Sequence, residues 1–190
     1  DPNDRSLVSA FLAQTAEPDF LAFTTSLGTP RTVGDVISEY DEHGHLGMFG
    51  GVPAAGEAFR YAILRDGGAP AAQVDVARAD LLEAIASFHV YADITGEPGT
   101  IARGIRRITE PGPAPEPLPA TCADPWDRGA NVWRSDQSGR HPDWYWMDNT
   151  SKDQMIGYVF AHGAFWDVIA TDPSIPQSVK VDLSADALAL

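Results

Sequence analysis

The chain of 190 residues has one cysteine, Cys122, so no disulfide can form within it and pairing says nothing about its redox compartment. No apolar run approaches the ~20 residues a helix needs to cross a bilayer. Positive charge is scarce: 13 Lys and Arg stand against 27 Asp and Glu, a formal net charge of −14. That balance repels phosphates, so nucleic acid and an anionic membrane surface are both disfavoured as partners. The short chemical signatures are missing too. There is no phosphate-cradling glycine loop, no G-x-G-x-x-G after a strand, no G-x-S-x-G elbow and no H-E-x-x-H helix. The first residue is Asp1, which fits a removed secretion signal or a trimmed chain. The expected location is extracellular or periplasmic.

What is present is a sizeable apolar fraction, 44%, enough for the core of a single domain spanning 1–190. The most informative stretch is 144–170, where an aromatic, acidic loop runs into a strongly marked helix. Ser151 followed by Gln154 reads as a capping box, each side chain reaching the other's backbone N–H. Asp153 falls in the first turn, where the helix dipole favours a carboxylate. Met155, Val159, His162, Trp166 and Ile169 form one stripe, read as the packing face. Gly157, Ala161, Ala164 and Val168 form a second stripe of small residues that lets another helix come close. Thr171-Asp172-Pro173 ends the helix, since a residue before proline avoids helical geometry.

Elsewhere, 6–16 reads as a short helix on Leu7 and Phe11, and 33–40 as a short helix or strand. Gly44, Gly47, Gly50 and Gly51 mark a turn-rich passage. Pro53 suits a first helical position, with Ala54 to Arg65 following, Phe59, Ala62 and Ile63 facing inward, and Asp66-Gly67-Gly68 as the stop. The longest helix runs Gln73 to Thr95 on Val74, Ala77, Leu81, Ile85 (or Ala84), Phe88, Ala92 and Thr95, with Gly96 and Pro98 beyond it. Ile101 to Ile108 reads as a short helix carrying Arg103, Arg106 and Arg107. Residues 110–119, EPGPAPEPLP, form an extended connector. The span 109–150 is then one long ordered loop, its aromatic content arguing for order. Residues 175–190 return to helix, and the SADALAL ending suggests a fragment of a larger assembly. The fold class is all-α.

Three clusters are able to carry chemistry. Trp126, Asp127, Trp133, Asp136, Trp144, Tyr145, Trp146, Asp148 and Asn149 combine large rings with carboxylates and an amide, which suits stacking on sugar faces; the same rings also suit plugging a loop onto the domain. Asp148 and Asp153 flank the helix start as a carboxylate pair for acid–base work on a glycosidic bond, with His162 as a proton shuttle; the bland alternatives are a helix cap and a core histidine. His43 and His45, beside Asp41 and Glu42, have the spacing of a chelate in extended chain, or of a solvated turn. No metal site is specified, although the Asp residues between Asp124 and Asp153 offer calcium-type oxygen ligands without EF-hand spacing.

The helix pair at 51–65 and 73–95, TGEPGTIARGIRR at 95–107 and WMDNTSKDQMIGYVFAHGAFWDVI at 146–169 together resemble the bacterial secreted α/α-toroid proteins. These are barrels of helical hairpins found among carbohydrate-active enzymes. The resemblance runs from Gly51 to the C-terminus and implies a partial toroid. It also implies a domain that binds or processes a polysaccharide in the manner of a glycoside hydrolase or lyase. From the clusters above, Asp153, Asp148 and His162 are the catalytic candidates, and Trp133, Trp144, Tyr145, Trp146 and Asn149 the glycan-binding ones. The alternative is a non-enzymatic structural or interaction domain that grips a protein partner or the rest of its own precursor.

Overall fold

A computed structural model describes residues 46–109 and 132–189. The expected elements at 6–16 and 33–40, the His43–His45 turn, the connector 110–119, Cys122, Asp124 and Trp126–Asp127 lie outside those residues. Helix makes up 61% of the described residues, in four helices accompanied by a small three-stranded sheet. The described residues are mostly helical as the sequence suggested, and the sheet is the departure from an all-α fold.

Helix α1, Leu46–Asp66, starts earlier than its sequence suggests. Gly47, Gly50 and Gly51 are helical rather than turn-forming, and Pro53 lies inside the helix rather than at its start. The reason is tertiary. Gly47 and Gly51, four residues apart, lie against Gly157 of α3, Lys152–Ile169, with backbone on backbone. A Cβ built at Gly51 would sit 2.7 Å from Gly157 Cα, and one at Gly157 would sit 2.8 Å from Met48 Cα. Packing this close sustains the helix through a proline that removes one rung of its ladder. Farther along the same seam the Arg65 guanidinium donates to the Val168 carbonyl at 3.2 Å. The N-terminal halves therefore meet each other, as do the C-terminal ends: α1 and α3 run parallel.

The seam also decides which faces are inside. On α1 the buried residues are Gly47, Gly51, Ala54, Ala55, Glu57, Ala58 and Tyr61. Phe59 and Ile63, expected inward, are 45% and 71% exposed. On α3 the small stripe Gly157, Ala161, Ala164 and Val168 is buried, while Val159 and Trp166 from the expected packing stripe are 58% and 44% exposed. Along the seam the side chains are small because only they admit a second backbone; Phe59, Ile63, Val159 and Trp166 are turned out, while Tyr61, Tyr158, Phe165 and Ile169 are buried too.

Gly67 and Gly68 end α1, Gly68 at φ +68°, and the chain reverses into α2, Ala71–Asp93. Arg60 ties the hairpin by reaching Glu57 at 2.8 Å and Asp80 at 2.6 Å. Ala77, Leu81, Ala84, Ile85, Phe88 and Tyr91 are buried on the period the sequence shows. Phe88 meets Tyr158, His162 and Phe165 of α3 edge-on at 5.5–6.1 Å between ring centroids. Helix α4, Gln177–Ala189, folds back along α3: Lys180 reaches the Ala170 and Asp172 carbonyls, and farther along Asp186 meets His89 of α2 at 2.9 Å. The result is two helical hairpins side by side, α1 and α3 forming one layer, α2 and α4 the other.

The segment expected as a helix at Ile101–Ile108 is instead strand β1, Gly104–Arg107, and the long loop contains β2, Trp133–Ser135, and β3, Trp144–Met147. The antiparallel order is β1-β3-β2, pairing Ile105 with Trp146 and Arg134 with Trp146 from the two sides. Aromatic and β-branched residues suit a pleated surface better than a short helix. Ile105 and Trp146 join the helical core.

Candidate functional site

The sequence places the candidates around the start of α3, and the structure shows what each one does there. Ser151 is the N-cap residue with extended backbone (ψ 161°), but its side chain makes no capping bond. Gln154 serves a distant partner. Its Oε1 accepts the backbone N–H of Met48 at 2.9 Å, across 106 residues of sequence. The S-x-x-Q pattern is therefore half right: it marks the helix start, while its glutamine serves the α1–α3 seam. Ser151→Ala should accordingly cost only a few tenths of a kcal/mol, against about 1 kcal/mol for a working cap. Gln154→Ala, which strands a buried backbone donor, should cost about 1–3 kcal/mol. Denaturant unfolding of both checks this, and a larger loss for Ser151→Ala would restore the capping box.

Asp153 is exposed at the first turn, with no hydrogen bond or ion pair among the described residues. Asp148 is not free. Its Oδ1 accepts from Val132 N at 3.1 Å, and its Oδ2 takes Arg134 Nε at 2.8 Å and Nη2 at 2.7 Å. Asn149 stands exposed between them at φ +66°, the one non-glycine residue with positive φ among those described, and its carbonyl accepts Arg103 Nη1 at 3.1 Å. A bend of this kind in a non-glycine residue stores strain of order 1 kcal/mol. It turns the chain from β3 into α3. Thr150 donates its hydroxyl to the Ile101 carbonyl below the bend.

The aromatic candidates do not share a face. Register puts Trp144 and Trp146 with Ile105, Arg107 and Arg134 on one side of the sheet, and Trp133 and Tyr145 on the other. Trp146 is buried, with its indole N–H donating to the Ser135 carbonyl at 3.0 Å. The half-buried Trp144 has the Arg107 guanidinium 4.4 Å over its ring. Trp133 and Tyr145 are half-buried.

His162 is buried among Phe88, Phe165 and Tyr158. Its Nδ1 lies 2.9 Å from the Tyr158 carbonyl, which can only accept, so Nδ1 carries the proton. Nε2 has no hydrogen-bond partner among the described residues. Burial pushes its proton affinity down, which keeps the ring neutral. Asp148, Asp153 and His162 thus occupy three different environments: a strand-end ion pair, open solvent and the core.

Sequence reading passed over two further carboxylates, the first of which gathers more partners than any of these. Asp172, read only as part of a helix stop, accepts Tyr61 Oη–H and Arg65 Nη1 on Oδ2, both at 2.7 Å. Its Oδ1 accepts Ser174 N–H at 2.8 Å and Ser174 Oγ–H at 2.7 Å. Burial works against its charge, but those donors outweigh it and hold the carboxyl far below the usual carboxylate range. Asp93, at the end of α2, accepts from Arg140 and from His141 Nε2 at 2.8 Å. Burial opposes its charge too, and Arg140 and His141 overcome it. The loop they come from is closed by Asp136, which takes the N–H groups of Ser138 and His141. The legible signals were local: Asp-x-Ser in both loops is a turn that bonds its own backbone two residues on. Both carboxylates hold elements together. Among the described residues, no group of three or more His, Cys, Asp or Glu side chains is placed to hold a metal ion, and no helix is long and apolar enough to cross a membrane. Comparison of the chain with protein-family models, curated proteins and solved structures finds no match to any of them.

Proposed function

We propose that this protein is a helical interaction domain that works by seating the outer face of its parallel helix pair against an apolar protein surface. One observation carries the reading. The close α1–α3 seam turns large side chains outward on both helices: Val52, Phe59 and Ile63 on α1, and Ile156, Val159, Phe160 and Trp166 on α3, each 44–71% exposed. The largest apolar patch on an ordinary monomer is about 300–600 Å². Seven such side chains, at about 150–250 Å² for each fully exposed aromatic, leave on the order of 700 Å² exposed. A neutral solvatochromic dye, which the acidic protein does not repel, tests the reading. Dilute protein should bind it, and Phe59→Asp with Phe160→Asp should abolish the signal while leaving the far-ultraviolet circular dichroism unchanged. Dye binding that is absent, or indifferent to these substitutions, counts against it.

A second reading rests on the layering of the hairpins. Parallel α1 and α3 backed by α2 and α4 are the arrangement that an arc of an α/α toroid has, and Asp153 and Asn149 are exposed where α3 begins. On that reading the domain binds or processes a polysaccharide, outside the cell or in the periplasm, with Asp153 as the acid–base group. Asp153→Asn should then lower turnover of a cleaved uronate or neutral polymer about 10²-fold or more, with stability changed by no more than about 1 kcal/mol. Flat responses across both polymer classes would remove it.

A further inference from the structure

We infer that the C-terminal half of α4 is a proton-operated latch, closed against α2 while His89 is charged and loosened when His89 gives up its proton. The holding points of α4 are unevenly spread. Lys180 fastens its first turn to the Ala170 and Asp172 carbonyls. Leu183, 2% exposed, anchors its middle in the core. From Ser184 to Ala189 only Asp186 is buried, and Leu188 is 89% exposed. That half has no buried apolar anchor of its own. It is tied instead by the Asp186 carboxylate, whose two oxygens lie 3.1 and 2.9 Å from His89 Nδ1 on α2. A helix end with so little apolar burial belongs to the part of a fold that opens most readily.

A carboxylate only accepts, so Nδ1–H donates to it whether or not Nε2 carries the second proton. Deprotonation therefore keeps the hydrogen bond and removes the positive charge. The other charges acting on His89 are negative: Asp182 from α4 and Asp93 from its own helix. Asp93 is itself committed to Arg140 and His141 of the loop. On the α3 side stands His162, which feels the Asp186 charge. Burial keeps that ring neutral, and its Nδ1–H is taken by the Tyr158 carbonyl. Among the described residues, His89 is thus the cation paired with Asp186. Its side chain is 35% exposed, so solvent can supply and remove the proton, while that of Asp186 is 10% exposed. The bond to Asp186 outweighs partial burial and raises the proton affinity of His89 above the ordinary 6.5. The latch is fully closed below 6.5 and loosens as pH rises through the raised value.

Amide hydrogen exchange on the full 190-residue chain, from about pH 5.5 to about pH 9, brackets a histidine and tests the latch. Rates are corrected for the intrinsic pH dependence of exchange, and the ring resonances of His89 are followed alongside. Opening of the amides at 185–189 should rise about threefold to fivefold, the most that a partly exposed ion pair supports. Its midpoint should coincide with that of the His89 ring, and the α3 amides at 161–169 should not respond. His89→Gln keeps a donor without a charge and should leave 185–189 at the loosened level at every pH. Asp186→Asn should do the same and bring the His89 midpoint down towards 6.5. His141→Gln, which removes the other histidine of the cluster, should leave the pH response in place. Protection at 185–189 that is flat with pH, or a response that survives His89→Gln, overturns the assignment. So does an equal loss in α3, which would mean global destabilisation. Should a variant fail to fold, the two midpoints in the unaltered chain decide: separate midpoints overturn the latch.

Discussion

Gly157→Ala is expected to destabilise the protein by about 2 kcal/mol, and Gly157→Leu by more, up to loss of folding. The sign is the informative part. In a solvent-facing helix, replacing glycine by alanine stabilises by about 1 kcal/mol, because alanine loses less backbone entropy. At Gly157 that gain is opposed by a methyl group driven into the Gly47 carbonyl and to 2.8 Å from Met48 Cα. Both obstacles are backbone, so no rotamer change relieves them. The helices must separate, and separation opens the seam along Gly51, Ala54, Ala58 and Ala161, all buried. Overpacking of this kind costs about 1–3 kcal/mol even where side chains can shift. Gly163→Ala in the same helix is the control. Nothing lies within 4 Å of its Cβ position, so it should gain the usual few tenths to 1 kcal/mol. Urea unfolding of the pair decides the matter. If Gly157→Ala stabilises as Gly163→Ala does, the backbone contact between α1 and α3 is wrong.

The same seam explains what was legible in the sequence. Glycine and alanine at 157, 161 and 164 announced a close helix approach, and the structure has one. The partner was hidden, because Gly47, Gly50 and Gly51 before Pro53 look like a turn by every local rule, and only the contact with Gly157 makes them helical. Once the small residues are known to face inward, Phe59, Ile63, Val159 and Trp166 must face outward. A sequence reading that assigns large apolar residues to the core misplaces these four, although His162 and Ile169 of the same expected stripe are buried. In α2, where no backbone contact intervenes, the ordinary period from Ala77 to Phe88 was read correctly. Strand β1 was missed because GIRR is four residues long, too short for alternation to compete with the helical pattern around it. At the candidate site the helix start at Ser151 was legible and the use of Gln154 was not, since Met48 is 106 residues away. Long-range bonds of that kind leave no periodic trace.

Asp172→Ala should cost about 3–4 kcal/mol, the largest loss expected from any polar residue described. Asp172 is where three elements meet: Tyr61 and Arg65 come from the end of α1, its own position closes α3, and Ser174 and Lys180 lead into α4. Removing one member of a buried charged pair costs about 3–5 kcal/mol, chiefly by stranding the other charge. Arg65 is about a third exposed and also holds Asp66, so water screens part of that loss and the figure belongs at the lower end. Asp172→Asn keeps the shape and two acceptor bonds but loses the charge, and about 2 kcal/mol is expected. For a domain of this size each kcal/mol lowers Tm by about 2–4 °C. The pH dependence has a definite sign. The carboxyl is held below its unfolded value of 3.8, so the folded state binds the proton less readily than the unfolded chain. Its contribution is fully present above that value and is lost as pH falls below it. Wild type and Asp172→Asn should therefore converge in stability as the solution is acidified below 3.8, and differ by a constant amount above it. A gap that persists unchanged into acid would mean that the stabilising element is the shape of the turn at Ser174 and not the charge of Asp172.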